Sequence, residues 1–221
     1  MNLRLLQLGD SALPIGGYSQ SWGLESAVDR GLVRDAPGLE RWVRAWLAHA
    51  VGPFEGVVVA ATCAAAARGD WHRIGVANCQ LQAGISPPTL RSASREMGGQ
   101  LLALASGWPW AAAANQLRGV AEEWHHAAVF GALAGVAGAG PTEAASLFLH
   151  QAALGAIGAG VRAVPIGHTH GQQVLAYLHD QIRELAANAA DGDLETAGSF
   201  CPFHEVLCHA QSRLYTRLFR S

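Results

Sequence analysis

Three residues near the end of the chain have the spacing of a metal-binding helix face. His204 and Cys208 are four residues apart, and Cys201 lies one turn before His204. On a helix these side chains share one face, and an imidazole with two thiolates suits a soft metal ion. A plainer interpretation is that Cys208 packs as a small hydrophobic residue, because free cysteines are commonly buried. We favour the plainer interpretation and keep the first as an alternative.

A second pair of possible ligands, His168 and His170, is separated by one residue. That spacing does not put both rings on one face of a helix, and protein metal sites usually have three or four ligands. No Ser-His-Asp or Cys-His arrangement follows from the spacing of the other histidines. We therefore expect no catalytic residues, no bound metal and no cofactor. A small His/Cys metal-binding protein or metallohydrolase remains the alternative function.

The basic residues of the chain are all arginine: its 221 residues include 15 Arg and no Lys. A P-loop needs a lysine at the terminal phosphates, and Schiff-base catalysis needs a lysine amine, so both classes are excluded. The net charge of −2, without a basic run, argues against a nucleic-acid partner. The four cysteines form no Cys-x-x-Cys pair and predict no disulfide framework. We see no signal peptide and expect a cytoplasmic protein.

The residue types and their periodicity predict a single all-α domain over residues 1–221, a bundle of about nine to ten helices. Val, Ile and Thr, which favour strands, total only 27, whereas Ala, which favours helix, occurs 42 times. Apolar residues at helical spacing predict a helix over 39–51 that ends at Gly52 and Pro53. Later helices are predicted at, among others, 54–68, 117–137 and 203–219.

Three stretches without charge, 97–117, 124–142 and 144–161, approach the length of a membrane span. They contain Gln, Asn and His, and much of the remainder is Ala and Gly, which insert weakly compared with Leu, Ile and Phe. We therefore expect no membrane span. Closely packed helices of a bundle, whose small residues let the backbones approach, explain the same composition.

Two irregular segments and the chain end interrupt the helical pattern. Residues 12–25 contain Pro14 and a Gly-Gly pair, which indicate a tight turn. Residues 161–172 close a long apolar helix with an arginine and continue through an extended Val-Pro-Ile segment. The chain ends on Leu-Phe flanked by arginines, and an apolar end needs a groove. We predict that the tail, residues 212–221, docks beside the loop at Pro14–Tyr18.

Together these segments resemble the urease accessory protein F (UreF) family. The resemblance runs essentially the full length of the chain, and its motifs occur in the family's order: residues 5–8, 13–19, 23–25, 97–102, 125–131, 161–167, 171–172, 199–202 and 214–221. The chain departs from the family at a few positions. Gln20 stands where an aromatic is common, His168 and His170 where Gln and Ala are common, and Gln211-Ser212 where His-Glu is common.

The resemblance implies a scaffold rather than an enzyme. Members of the family are expected to form a homodimer that bridges a nickel-carrying GTPase, urease accessory protein G, and the D-type (also called H-type) accessory protein, which contacts apo-urease. The assembly delivers nickel to urease while the GTPase hydrolyses GTP. On this basis we predict the following partner-binding residues: Pro14, Gly16, Gly17, Tyr18, Ser19, Glu25, Arg162, Pro165, Gly171, Gln172, Arg217, Leu218, Phe219 and Arg220.

Overall fold

The computed structural model describes residues 1–220 and confirms the predicted all-α single domain. Ser221, the last residue of the predicted tail, lies outside the described residues. Within 1–220 there are ten α-helices: α1 (Leu3–Leu8), α2 (Leu24–Asp29), α3 (Ala36–Trp46), α4 (Val57–Ala67), α5 (Trp71–Gly84), α6 (Pro88–Ala105), α7 (His126–Val136), α8 (Pro141–Ala163), α9 (His168–Asp191) and α10 (Pro202–Gln211).

The helix break predicted at Gly52 and Pro53 is wrong, because α3 and α4 belong to one helical run from Ala36 to Ala67. They are joined by a π-helical segment, Leu47–Gly56, that contains Pro53. In an α-helix the proline ring would crowd the carbonyl of His49, four residues earlier, and would leave it without a donor. In this structure the wider π turn accommodates the ring, and the His49 carbonyl accepts a hydrogen bond from Phe200 N at 2.9 Å.

Contact between helix backbones occurs where α7 crosses α4, the most extensive helix pairing in the fold. A Cβ added at Gly131 would lie 2.1 Å from Thr62 Oγ1 and 2.4 Å from the Val59 carbonyl oxygen. A Cβ added at Gly135 would lie 2.3 Å from the Cys63 carbonyl oxygen. The small residues that dominate the composition therefore bring α4 and α7 together. The other major pairing is between α8 and α9.

Helix α7 begins later than predicted. Residues Pro109–Gly119 form a 3₁₀-helix, and α7 starts only at His126, so the predicted helix over 117–137 is wrong in its first half. The cause lies at His125, whose backbone N–H donates to Asn78 Oδ1 at 2.8 Å. Its buried ring lies within hydrogen-bonding distance of Ser94 Oγ and Gln82 Oε1. These contacts hold the residue in an extended conformation immediately before the helix.

Two helical runs, Ala36–Ala67 and Pro141–Ala163, are long and apolar enough to cross a membrane by length and composition alone. The interior of the protein buries 67% of the most apolar window in the first and 50% in the second. Core helices of soluble proteins pass the same length test, so these two runs are weak evidence for membrane insertion. In this fold they pack against α7 and α9.

Replacing Gly131 with Ala should lower the free energy of unfolding by at least about 2 kcal/mol, because the new methyl group overlaps backbone and side-chain atoms of α4. Gly99→Ala is the matched control, since Gly99 is an exposed residue of α6 with open space around its Cβ position. The control should be neutral or stabilising by up to about 1 kcal/mol. Urea unfolding measures both; equal stabilities would contradict close packing at Gly131.

Candidate functional site

The tail turns back along the protein after α10 ends at Gln211, so the helix predicted over 203–219 is too long. Its anchor is the buried carboxylate of Glu25 in α2. One oxygen accepts a hydrogen bond from Leu218 N at 2.5 Å, and the other accepts from Gln211 Nε2 at 3.0 Å. Ser21 Oγ donates to the amide oxygen of the same Gln211 at 3.2 Å. The last residue of α10 and Leu218 of the tail are therefore both tied to α2, and Gln211 is also tied to Ser21 before it.

A stack of three side chains, here called the clasp, joins the tail to the N-terminal loop. The guanidinium of Arg162 lies between two rings, with its central carbon 3.8 Å from the ring centre of Tyr18 and 4.5 Å from that of Phe219. Arg162 Nη2 also donates to the Tyr18 carbonyl at 2.7 Å. Cation–π contacts of this kind stabilise by about 0.5–2 kcal/mol each. The chain's last aromatic residue is only 4% exposed as a result.

The loop of the clasp has a backbone shape that depends on glycine. Gly16 has φ of 86°, a left-handed conformation that favours glycine, and its carbonyl accepts hydrogen bonds from the backbone and hydroxyl of Ser19. The Ser19 carbonyl in turn accepts from Arg220 N at 2.8 Å. The Arg220 side chain pairs with Glu96 on α6 at 2.9 Å. Loop, tail and α6 therefore form one continuous surface.

The structure brings together most, but not all, of the predicted partner-binding residues. Pro14, Tyr18, Arg217, Leu218 and Arg220 are exposed around the clasp, whereas Gly16, Gly17, Ser19 and Arg162 are half-buried in it, and Glu25 and Phe219 are buried beneath it. Pro165 lies between α8 and α9, and Gly171 and Gln172 lie in the first turns of α9. Gly171 is buried there against Ile157 and Val161. Its role is to let α8 and α9 pack closely.

Sequence reasoning missed two residues that complete this site, Gln211 and Glu96. Gln211 was noticeable only as a departure from the family pattern, yet it connects Glu25 with Ser21. Glu96 carries no sequence signal, because an isolated acidic residue on a helix is normally solvated. Only the folded tail brings Arg220 within reach of it.

The surroundings of Cys201, His204 and Cys208 favour the plainer interpretation, in which these side chains pack as part of the fold. His204 is buried between Trp42 and Trp46, and its Nε2 donates to the Trp22 carbonyl at 2.7 Å. Burial lowers the pKa of His204 to about 4 and raises the pKa of the Cys208 thiol to about 12. A cysteine binds a metal ion as its thiolate, and the raised pKa of Cys208 disfavours that form in this environment. His168 and His170 are exposed, and within residues 1–220 no three His, Cys, Asp or Glu side chains form a ligand group.

Known proteins show a consistent similarity to this chain. A sequence model of the UreF family matches residues 33–179. A protein of Dechloromonas aromatica (strain RCB) named urease accessory protein UreF is 33% identical over 220 residues, which cover 99% of this chain and 96% of that protein. A protein of the same name from Thermosynechococcus vestitus is 34% identical over 224 residues, which cover 99% of this chain and 97% of that protein.

The chain belongs to the UreF family of urease accessory proteins. Proteins of that name support urease maturation, and the family is named for an accessory role rather than for a catalysed reaction. The family match begins after the clasp loop and ends before the tail. The two relatives, in contrast, align with the chain over nearly its full length.

Behind the clasp this UreF-family chain contains a partly open cavity of about 300 Å³. Tyr18 and Arg162 of the clasp line one part of it, and Glu55 and His126 line another. Burial raises the pKa of Glu55 to about 7 and lowers the pKa of His126 to about 4. His126 also stacks on Phe148, and within residues 1–220 its Nε2 has no hydrogen-bond partner. Between about pH 4 and 7 the cavity is therefore polar but carries no charge at these two residues.

Phe219→Ala should release the tail without unfolding the bundle, because it removes one face of the clasp. Losing about 1–3 kcal/mol of burial and cation–π stabilisation should make trypsin cleave after Arg213 and Arg217 about tenfold faster. Leu218→Ala is the control, since that neighbouring side chain is exposed and its backbone N–H remains available to Glu25. Equal cleavage rates in the two variants would show that the clasp does not hold the tail.

Glu55→Gln should stabilise the protein in a pH-dependent manner. In the folded protein the Glu55 carboxyl keeps its proton up to a pKa of about 7, whereas an ordinary glutamate loses it near 4.5. Between these values the folded state binds the extra proton, so the parent's free energy of unfolding falls as pH rises. The variant's advantage should therefore grow from pH 4.5 to 7, reach at most about 3 kcal/mol, and then stay constant.

Urea unfolding at half-unit pH steps measures this difference. Glu122→Gln is the control because Glu122 is exposed and lies outside the cavity. A constant difference between Glu55→Gln and the parent across this pH range would show that the Glu55 carboxyl is solvated in the folded protein.

Proposed function

We propose that this chain is a non-catalytic scaffold of urease maturation. As a cytoplasmic homodimer, it bridges the nickel-carrying GTPase, urease accessory protein G, and the D/H-type accessory protein, so that nickel is inserted into apo-urease. The clasp is the observation that carries this proposal. It fixes an apolar, arginine-flanked tail on the protein surface, where a partner can bind it.

The surface around the clasp has the composition of a protein-binding site. Tyr18 is 77% exposed, Leu218 is 72% exposed and Tyr215 is fully exposed, although all three carry large apolar groups. Exposed apolar patches of this kind mark interaction sites, and tyrosine is enriched among the residues that contribute most to binding. Because the clasp already orders the tail, binding of a partner does not incur the entropic cost of ordering it.

The charges beside this patch indicate the chemistry of the partner. Arg220 is already paired with Glu96, whereas Arg217 is exposed and has no ion pair within residues 1–220. A matching surface would therefore be apolar at its centre, with an acidic side chain opposite Arg217. We assign this surface to the D/H-type partner and leave the GTPase to another face of the dimer.

The remaining features support a scaffold over an enzyme. The chain has no lysine for a P-loop, so the nucleotide chemistry of the assembly must come from a different protein. The two strongly perturbed groups of the cavity, Glu55 and His126, owe their pKa shifts to burial alone. Neither has the charged partner that commonly tunes a catalytic acid or base.

Removing residues 214–221 should abolish co-purification with the D/H-type partner. Because α10 ends at Gln211, the deletion removes no helix and the far-UV circular dichroism should be nearly unchanged. A gentler variant, Tyr215→Ala with Leu218→Ala, keeps the clasp and should weaken binding roughly tenfold or more. Val76→Ala on α5, another exposed apolar residue, is the control and should bind as the parent does. Undiminished binding by the deletion variant would refute this assignment of the surface.

A further inference from the structure

A pair of histidines on two packed helices lies outside the site described above. His150 on α8 and His179 on α9 have ring centres 6.2 Å apart, with an angle of 33° between the ring planes. His150 is half-buried and His179 is exposed. Within residues 1–220 neither ring forms a hydrogen bond, so the unprotonated nitrogen of each neutral ring is available to bind a metal ion.

The separation of the rings matches the reach of a shared metal ion. An imidazole nitrogen binds a metal ion at about 2.0–2.1 Å, so the ring centre lies about 3.2 Å from the ion. Two rings on one ion are therefore at most about 6.4 Å apart when they lie opposite each other, and about 5.2 Å apart at a tetrahedral angle. The observed distance of 6.2 Å lies near the upper limit, so the rings as placed would hold an ion at an angle of about 150°, and a tetrahedral angle requires one ring to move about 1 Å closer. An exposed ring such as that of His179 changes rotamer readily and can shorten it.

The surroundings of the pair are suited to a cation. The rings line a groove that also contains the carboxylate of Glu143 and the side chain of Asn2. Two lining residues carry cationic groups, the amino group of Met1 and the guanidinium of Arg183, and Arg183 is paired with Asp180 at 2.6 Å, which offsets its charge. Burial, followed by the neighbouring His179, lowers the pKa of His150, which disfavours the protonated ring.

We propose that His150 and His179 bind one divalent transition-metal ion of the kind that prefers imidazole, such as Ni²⁺ or Zn²⁺, and thereby link α8 to α9. Imidazole is a good ligand for both ions. With two protein ligands, the other coordination positions hold water, so the ion exchanges readily. The proposal does not depend on the scaffold function or on the clasp, which lies on other residues.

Calorimetric titration of the untagged full chain with Ni²⁺, and separately with Zn²⁺, tests the proposal. We expect one ion per chain and a dissociation constant at least about tenfold weaker in His179→Ala, because the second ligand no longer acts intramolecularly. His150→Ala should lose affinity to the same extent. The His179 variant is the more decisive one, since an exposed side chain is not needed for folding.

Two further measurements locate the bound ion. The double variant His168→Ala with His170→Ala removes two exposed histidines from the same helix and should bind as the parent does. Diethyl pyrocarbonate modification, mapped by mass spectrometry, should be slowed by Ni²⁺ at His150 and His179 and unaffected at His168. Parental affinity in His179→Ala would overturn the proposal, as would loss of binding in Cys201→Ser with Cys208→Ser.

Discussion

The arginine at the end of α8 determines how the surface around the clasp is built. Arg162 is a planar cation in a half-buried place, so its two faces and its in-plane N–H groups all need partners. Tyr18 and Phe219 cover the faces, and the carbonyls of Tyr18 and Gly158 accept the N–H groups. A lysine could not satisfy both rings and both carbonyls in this way. One side chain therefore joins the N-terminal loop, a central helix and the tail.

A second constraint acts on the helices that hold this arginine in place. The Gly131 and Gly135 contacts let α7 approach α4 until side chains and backbone touch. The composition that resembles a membrane segment thus has a packing explanation. The π turn at Pro53 has a similar origin, because a distant donor, Phe200 N, replaces the hydrogen bond that the proline removes. Local irregularity is tolerated where tertiary contacts satisfy the backbone.

These constraints explain which features could be predicted from the sequence. Helix content follows from periodicity and propensity, and the need of an apolar chain end for a groove follows from the hydrophobic effect. The predictions of a break at Pro53 and of a helix from residue 117 were wrong because those features are not set by the local sequence. Both depend on partners far along the chain, Phe200 in one case and Asn78 in the other. Gln211 was overlooked because its partner, Glu25, is 186 residues away.

The cavity shows why buried titratable groups do not by themselves indicate catalysis. In many enzymes an acid and a base have pKa values set by neighbouring charges, so that one is charged when the other is neutral. In this chain burial pushes the pKa of Glu55 up and that of His126 down, and both groups are neutral between about pH 4 and 7. With a pKa of about 4, His126 is only a weak proton acceptor in that range, and Glu55 keeps its own proton. The cavity instead shares Tyr18 and Arg162 with the clasp, so the shape of its wall depends on the docked tail.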